Sequence, residues 1–468
     1  MNTSNPRDRK KRIALQAYGI FLVAIGVAFI VIFYVFFAAS NGVYFVWPYD
    51  YPQVGPTLVQ SLFPAALGIT MFAALLFVYV AISNFKRVKA NKAANITAAM
   101  FAVLAISAGS VMGYFAQSTI PTWYYDAGPY LMWSNGQDPT TGITVCWHSA
   151  ASTAGSVRYG TAPDLLANIA SKYEATQFHH VRIDGLTPNT TYFYRVDASP
   201  FGIKQFTTAP RDNASFSIVV WSDPRQNDPF PVPLSRPNLP AIMASQVRAA
   251  GKYLAFSICT GDTTARGVDF ETWKLYLNDI STSDFASNAS HVVAMGNHER
   301  HDDTGGINLH KFYPYDSTTF TFTWGQLHCI VIDPWNASNP YWGDIPAATY
   351  SWLQEELARH ASSTFKAVFV HPPPLNGAGS FLDGPAAQIT RLCNDFNVTA
   401  VFSGHYHSYW RVLVNGTTYI TNGLGGNANN GNLSDVRYCR VDITSTGMEI
   451  STINAFTGAI VDFTTITA

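Results

Sequence analysis

The sequence predicts a three-part chain: transmembrane helices at the N-terminus, a small all-β sandwich, and a larger α/β domain that carries the chemistry. Three observations predict it. The first 120 of 468 residues hold three apolar stretches, each long enough to cross a bilayer as a helix. Residues 127–210 show period-two alternation punctuated by Gly, Pro and Asn, the pattern of short strands. From 213 to 468, short apolar runs alternate with amphipathic stretches, as in a layered α/β domain.

The expected spans cover about 13–39, 58–83 and 96–115. The first has no charged residue, and the second contains Pro64, which membrane helices tolerate. A cleaved leader would have one shorter apolar core, so three successive spans exclude that reading. Arg7, Arg9, Lys10, Lys11 and Arg12 precede the first span, and Lys86, Arg87, Lys89 and Lys92 separate the second from the third. The loop between the first two has neither Lys nor Arg. This asymmetry predicts an integral protein of the cell membrane with a cytoplasmic N-terminus and an extracellular or periplasmic catalytic domain. The lipid bilayer is therefore an expected partner. Beyond the expected spans, seven N-x-S/T triplets, at Asn189, Asn213, Asn288, Asn336, Asn397, Asn415 and Asn432, are compatible with an external location.

A net charge of −1, with no basic run beyond the first 100 residues, gives no groove for a polyanion. Nucleic acid is not an expected partner, nucleotide substrates aside. The five cysteines are far apart and show neither zinc-ligand spacing nor a disulfide framework. Cys259 and Cys329 sit in apolar runs and read as small buried hydrophobes.

In the β region, strands are expected at 143–148, 156–159, 180–183, 191–196 and 205–208. The run Gly185-Leu186-Thr187-Pro188-Asn189-Thr190-Thr191-Tyr192-Phe193-Tyr194 resembles the corner before the sixth strand of a fibronectin type III-like sandwich. Tyr192 or Tyr194 is then a core or corner tyrosine. The region reads as a spacer.

The α/β region has a repeated feature. Apolar runs at 217–221, 253–259, 291–295, 367–370 and 399–403 end, respectively, at Asp223, Asp262, Asn297-His298-Glu299, His371 and His405-Tyr406-His407. Five strands thus each deliver Asp, Asn or His at a carboxyl end, where α/β sheets place ligands. Carboxylate, amide and imidazole suit Fe, Mn or Zn.

Asp223, Gly261-Asp262, Gly296-Asn297-His298-Glu299, His371 and Gly404-His405-Tyr406-His407 resemble the ordered motifs of calcineurin-like metallophosphoesterases. With the sandwich in front, the arrangement over 127–468 is most similar to purple acid phosphatases. The resemblance implies a four-layer α/β β-sandwich flanked by helices and a site for two metal ions. Asp262 would bridge them, Asn297, His371 and His405 would complete one ion, and Asp223 and His407 would hold the other. His298 would be the acid near the leaving group. Activated water would attack the phosphorus of a phosphate ester in line. Trp352-Leu353 and Asn422-Gly423-Leu424-Gly425-Gly426 are supporting matches, and the glycines allow close backbone approach.

Two positions depart from the pattern. Many calcineurin-like enzymes place a ligand His where Arg225 stands, and purple acid phosphatases supply a Tyr where Ala265 stands. The colour that depends on that Tyr is not expected. Gln226, Asn227, Thr263 or water would have to fill the gap. Arg225 has three readings: a catalytic-site clamp on the substrate phosphate, a partner for a carboxylate, or a replacement for the charge of a weakly held second metal. His301, Asp302 and Asp303 read as a solvated turn, Glu299 as a partner of nearby backbone, and Trp324, Trp335 and Trp342 as core or pocket lining. The leading expectation is a metal-dependent phosphoesterase. The alternative is a degenerate one-metal domain that binds phosphate or an envelope polymer without hydrolysis. A channel formed by the spans is disfavoured, because their centres hold no ionisable residue.

Overall fold

The computed structural model describes residues 127–197, 202–225, 238–301, 303, 305–335, 345–382, 386–426 and 435–468. By contacts the chain divides into 1–120 and 121–468, and the described residues belong to the second unit.

The expected fold class needs correction in its first two parts. Among the described residues no helix is long and apolar enough to cross a membrane. The longest have 13 residues, roughly 20 Å at 1.5 Å per residue, against a hydrocarbon core of about 30 Å. The transmembrane part of the expected class thus has no counterpart here. The stretches at about 13–39, 58–83 and 96–115, with the basic residues used to orient them, lie outside the described residues.

The small β region is one sheet, not two packed ones. It consists of β1 (Ala127–Met132), β2 (Gly142–Gly160), β3 (Asn168–Asp184), β4 (Thr191–Val196) and β5 (Lys204–Thr207), ordered β1-β2-β4-β5 with β3 on β2. The segments at 143–148 and 156–159 are the two halves of one strand. β2 continues through a small-residue stretch with register shifts between His148 and Gly155, and it stays paired to β3 on both sides of them. Bulges of this kind bend a strand without ending it. Tyr192 is the corner tyrosine, its hydroxyl accepting the Thr187 amide at 3.0 Å. Tyr194 is fully buried.

The remaining elements are β6 (Phe216–Trp221), α1 (Leu239–Ala249), β7 (Leu254–Cys259), α2 (Phe270–Thr282), β8 (Ser290–Val293), α3 (Ile307–Phe312), β9 (Phe320–Trp324), β10 (Leu327–Ile332), α4 (Ala347–Arg359), β11 (Phe365–Val370), α5 (Ala386–Asp395), β12 (Ala400–Ser403), β13 (Tyr409–Val414), β14 (Thr417–Asn422), β15 (Arg437–Thr444), β16 (Gly447–Asn454) and β17 (Ile460–Thr467). They form two six-stranded sheets, β17-β16-β15-β6-β7-β8 and β13-β14-β12-β11-β10-β9. The strand neighbours β6/β7/β8 and β10/β11/β12/β14 are parallel. Their nearly unbroken apolar runs follow from burial on both faces. On β10, Leu327, Cys329 and Val331 enter the main core, while Ile330 and Ile332 pack with Leu353 and Leu357 of α4 in a second core. All five cysteines are free and buried.

The small sheet packs on the α/β part and does not stand off as a spacer. Trp133 lies against Phe256, Phe322 and Trp324. Tyr194 donates its hydroxyl to the Ser287 carbonyl at 2.7 Å, the Leu131 amide donates to the Ala286 carbonyl at 2.8 Å, and His180 bonds the Phe312 carbonyl at 3.0 Å.

Two buried histidines, one within the α/β part and one at its contact with the small sheet, are held neutral. His291 is enclosed between Ser257 and Tyr276, at 2.7 and 2.6 Å, and burial pushes it from 6.5 down to about 3. Burial likewise pushes His180 down to about 4, opposed by its bond to the Phe312 carbonyl. Below pH 6.5 the unfolded chain therefore binds protons that the folded chain refuses. Stability is complete above that pH and falls as acid approaches 4 and then 3, by up to about 1.4 kcal/mol per pH unit per histidine. Urea unfolding at about pH 7 and about pH 5 should show the loss, and equal free energies would contradict it.

Candidate metal centre

The candidate residues meet where the carboxyl ends of the two sheets converge. Asp223, Asp262 and Asn297-His298 follow β6, β7 and β8, and His371 and His405–His407 follow β11 and β12. Asp223 (φ 58°), Arg225 (33°), Asp262 (55°) and His405 (69°) all adopt left-handed backbone, at roughly 1–3 kcal/mol each. Hydrogen bonds between the loops hold these conformations. The Asp223 amide donates to the Gly261 carbonyl and the Arg225 amide to the Asp262 carbonyl, both at 3.0 Å. The His405 amide donates to Asp223 Oδ2 at 3.0 Å.

Glu299 joins the loops after β7 and β8. One carboxylate oxygen accepts the amides of Asp262 (2.9 Å) and Gly296 (2.8 Å). The other accepts the amide and hydroxyl of Thr263, both at 2.6 Å. This is the backbone-partner role expected of Glu299, and it commits Thr263 to that role. The approach demands a glycine at 296: a Cβ there would lie 2.4 Å from both the amide nitrogen and Oδ1 of Asp262. At Gly425 a Cβ would lie 1.8 Å from the Ser222 carbonyl oxygen, so the glycine run packs directly beneath the Asp223 loop.

Donor atoms cluster at ligand spacing. His371 Nε2 is 3.1 Å from both Asp262 Oδ1 and Asn297 Oδ1, and His405 Nδ1 is 2.9 Å from Asn297 Oδ1. Atoms sharing an ion at 2.0–2.2 Å stand about 3 Å apart. Asp223 Oδ1 is buried and makes no hydrogen bond, with His407 Nε2 at 3.5 Å. A buried carboxylate oxygen with no donor is a site for a cation. The electrostatics agree. Burial pushes the Asp262 carboxyl up, but the facing His371 imidazole holds it well below the usual carboxylate range. Burial opposes the charge on His371, yet Asp262 lifts it to about 9. Burial and the proximity of His371 bring His405 down to about 4. The donor set fits one ion formed around Asp262, Asn297, His371 and His405. The fit is poorer for a second ion, because Arg225 Nη2 lies 3.2 Å from Asp262 Oδ2, the oxygen needed for bridging.

Two carbonyls, invisible to sequence motifs, orient the imidazoles. Carbonyl oxygens only accept, so Nδ1 of His371 carries the proton given to Thr260 (2.9 Å) and Nδ1 of His298 that given to Ala265 (2.6 Å). His371 Nε2 is thereby aimed into the cluster, and His298 Nε2 stands 3.9 Å from Asp262 Oδ2. Trp335 packs on the His371 ring at 5.9 Å, whereas Trp324 belongs to the core. Asp303 is not a solvated residue: it is buried and accepts the amides of Ile307 and Asn308 at the start of α3. Gln226, Asn227, Asp302, Trp342 and the run 427–432 lie outside the described residues. Replacing Glu299 by Gln turns an amide nitrogen toward the backbone donors, and metal affinity should fall roughly 10–100-fold in a folded protein. Metal titration with circular dichroism would check this.

The comparisons with known proteins agree with this geometry. Residues 130–226 match the purple acid phosphatase N-terminal domain, and residues 237–409 match the calcineurin-like phosphoesterase family. Purple acid phosphatase 23 of Arabidopsis thaliana is 25% identical over 301 residues, covering 54% of this chain and 64% of the relative. The chain therefore spans less than two thirds of that curated relative. Purple acid phosphatase PPD1 from yellow lupin (Lupinus luteus) seeds has a similar fold, with TM-score 0.57, 15% identity and coverage of 72% and 74% of the two chains. PhoD also shares the fold, with TM-score 0.53, 11% identity and coverage of 75% and 90%. The chain is thus similar, in two consecutive regions, to the N-terminal domain of purple acid phosphatases and to calcineurin-like phosphoesterases.

Proposed function

We propose that the chain hydrolyses phosphate esters, with metal ions of the Fe, Mn or Zn class held by Asp223, Asp262, Asn297, His371, His405 and His407. The observation that carries this reading is the spacing of Asp262, Asn297, His371 and His405 donors at 2.9–3.1 Å, with the buried Asp223 in the same ligand group. When bound, the ions would lower the pKa of a water and neutralise charge on the phosphoryl group. Asp262 would be the shared ligand, with Oδ1 beside His371 and Oδ2 reaching the second ion in competition with Arg225. His298, fixed through Nδ1, would present Nε2 to protonate the leaving oxygen. Arg225, beside Asp262, would orient a phosphate oxygen. A location outside the cytoplasm belongs to the same proposal and rests on the sequence alone, in the seven N-x-S/T triplets found beyond residue 120. Protease added to intact cells would test it.

A second reading, a one-ion domain that binds phosphate without turnover, is favoured by the contact of Arg225 with the bridging oxygen of Asp262. Metal content by elemental mass spectrometry separates the two. Two equivalents and turnover of p-nitrophenyl phosphate or its bis-ester support hydrolysis, while one equivalent with no turnover supports binding. In the hydrolase, His298→Ala should lower kcat about 10²–10⁴-fold with metal content unchanged, and Asp262→Asn should lose both metal and activity. A metal-loaded chain inert toward both esters would sink the hydrolase proposal.

A further inference from the structure

A second group of metal-ligating side chains lies at the other end of the β9–β14 sheet. His328, Glu356 and His360 place one ligand atom each within 4.8 Å of the others. His328 is paired with Lys366 near the N-terminal ends of β10 and β11, whereas His371 follows the carboxyl end of β11. About five residues of strand, roughly 16 Å, separate the two ends.

The sequence pattern calls for apolar residues where these groups stand. His328 has the same facing as Ile330 and Ile332, which pack on Leu353 and Leu357 of α4. Glu356 projects from the last turns of α4, and His360, four residues on, caps its C-terminus. His328 and Glu356 are nonetheless buried, at 1% and 4% exposure, a costly arrangement unless each polar atom is matched. Most atoms are matched. His328 Nδ1 bonds Thr323 at 2.9 Å, Thr321 donates to Glu356 Oε1 at 3.0 Å, Arg359 pairs with Glu356 Oε2, and the Lys366 ammonium donates to the Ala361 carbonyl at 3.4 Å. His328 Nε2 is the exception: it is buried and makes no hydrogen bond.

That nitrogen and His360 Nε2 stand 3.3 and 3.2 Å from the same carboxylate oxygen, Glu356 Oε1. Ligands at 2.0–2.1 Å from a tetrahedral ion are about 3.3–3.4 Å apart. We propose that His328, Glu356 and His360 form a further site for a divalent transition metal of the zinc class, tying α4 to the β9–β10 hairpin, with water in the fourth position. The two imidazoles now stack, with centroids 3.5 Å apart and planes at 8°. Ligation swings the half-exposed His360 ring so that its Nε2 lone pair converges with that of His328, and the exposed side admits the water.

The test uses the full chain, stripped with chelator, reloaded with zinc and freed of excess. Wild type should carry one zinc equivalent more than His360→Ala, whose altered residue is at the surface, and turnover of p-nitrophenyl phosphate should not distinguish them. Glu356→Gln, which keeps the side-chain shape and removes the charge, should lose the same equivalent, and circular dichroism would establish that both variants fold. Equal zinc content in wild type and the folded variants overturns the proposal, whatever the phosphoesterase assay shows.

Discussion

The metal centre depends on one carboxylate. Glu299 accepts four hydrogen bonds, three from the backbone of the loops after β7 and β8 and one from the Thr263 hydroxyl. It thereby fixes the separation of Asp262 from Asn297. Burial pushes its carboxyl upward, with the negative charge of Asp262 adding to the effect. The donors around it offset a desolvation cost that an unpartnered carboxylate could not sustain. Gly296 is confined to glycine by the same contact, and the left-handed Asp262 is held by what Glu299 grips. The candidate ligands are set by a buried group that is not itself one of them.

Electrostatics within the cluster follow from that frame. With Asp262, Asp223 and Glu299 close together, three carboxyl groups share a dry volume that neighbouring cations must balance. His371 and Arg225 supply that positive charge around Asp262. Metal ions would take over much of the same task, so protonation of His371 and occupancy by an ion are competing solutions to one charge problem. Arg225 sits where a ligand histidine stands in many calcineurin-like enzymes, and its permanent charge makes the competition sharper on that side.

The sequence made part of this architecture readable. Strands that end in Asp, Asn or His were visible because a fully buried parallel strand is an unbroken apolar run, and the first polar residue after it marks the sheet's edge. The turn cluster followed by alternation is readable for a similar reason, but it leaves Tyr192 and Tyr194 equivalent, and only the Thr187 contact makes Tyr192 the corner residue. The length of β2 was not, because 149–154 is Ser, Ala and Thr, which signal a loop by composition yet remain paired across the bulge. Positive φ at Asp223 and Asp262 is a tertiary effect with no local signature. The carbonyls of Thr260 and Ala265 carry no side-chain information at all. The His328 cluster joins a strand to a helix 28 residues later, at no fixed motif spacing, so only the fold reveals it.

The packing of the small sheet has a consequence for how damage spreads. Trp133, Tyr194 and the strands of β1 belong to the same core as Phe256 and Trp324, so the two sequence domains share their apolar interior. Neither can lose its fold while the other keeps a closed core, and the pair should behave as a single cooperative unit. A defect in the β region, remote from the candidate metal ligands, would therefore register as lost folded protein and not as a locally altered surface. In this chain the small β region is part of the α/β region's foundation and cannot be exchanged or trimmed on its own.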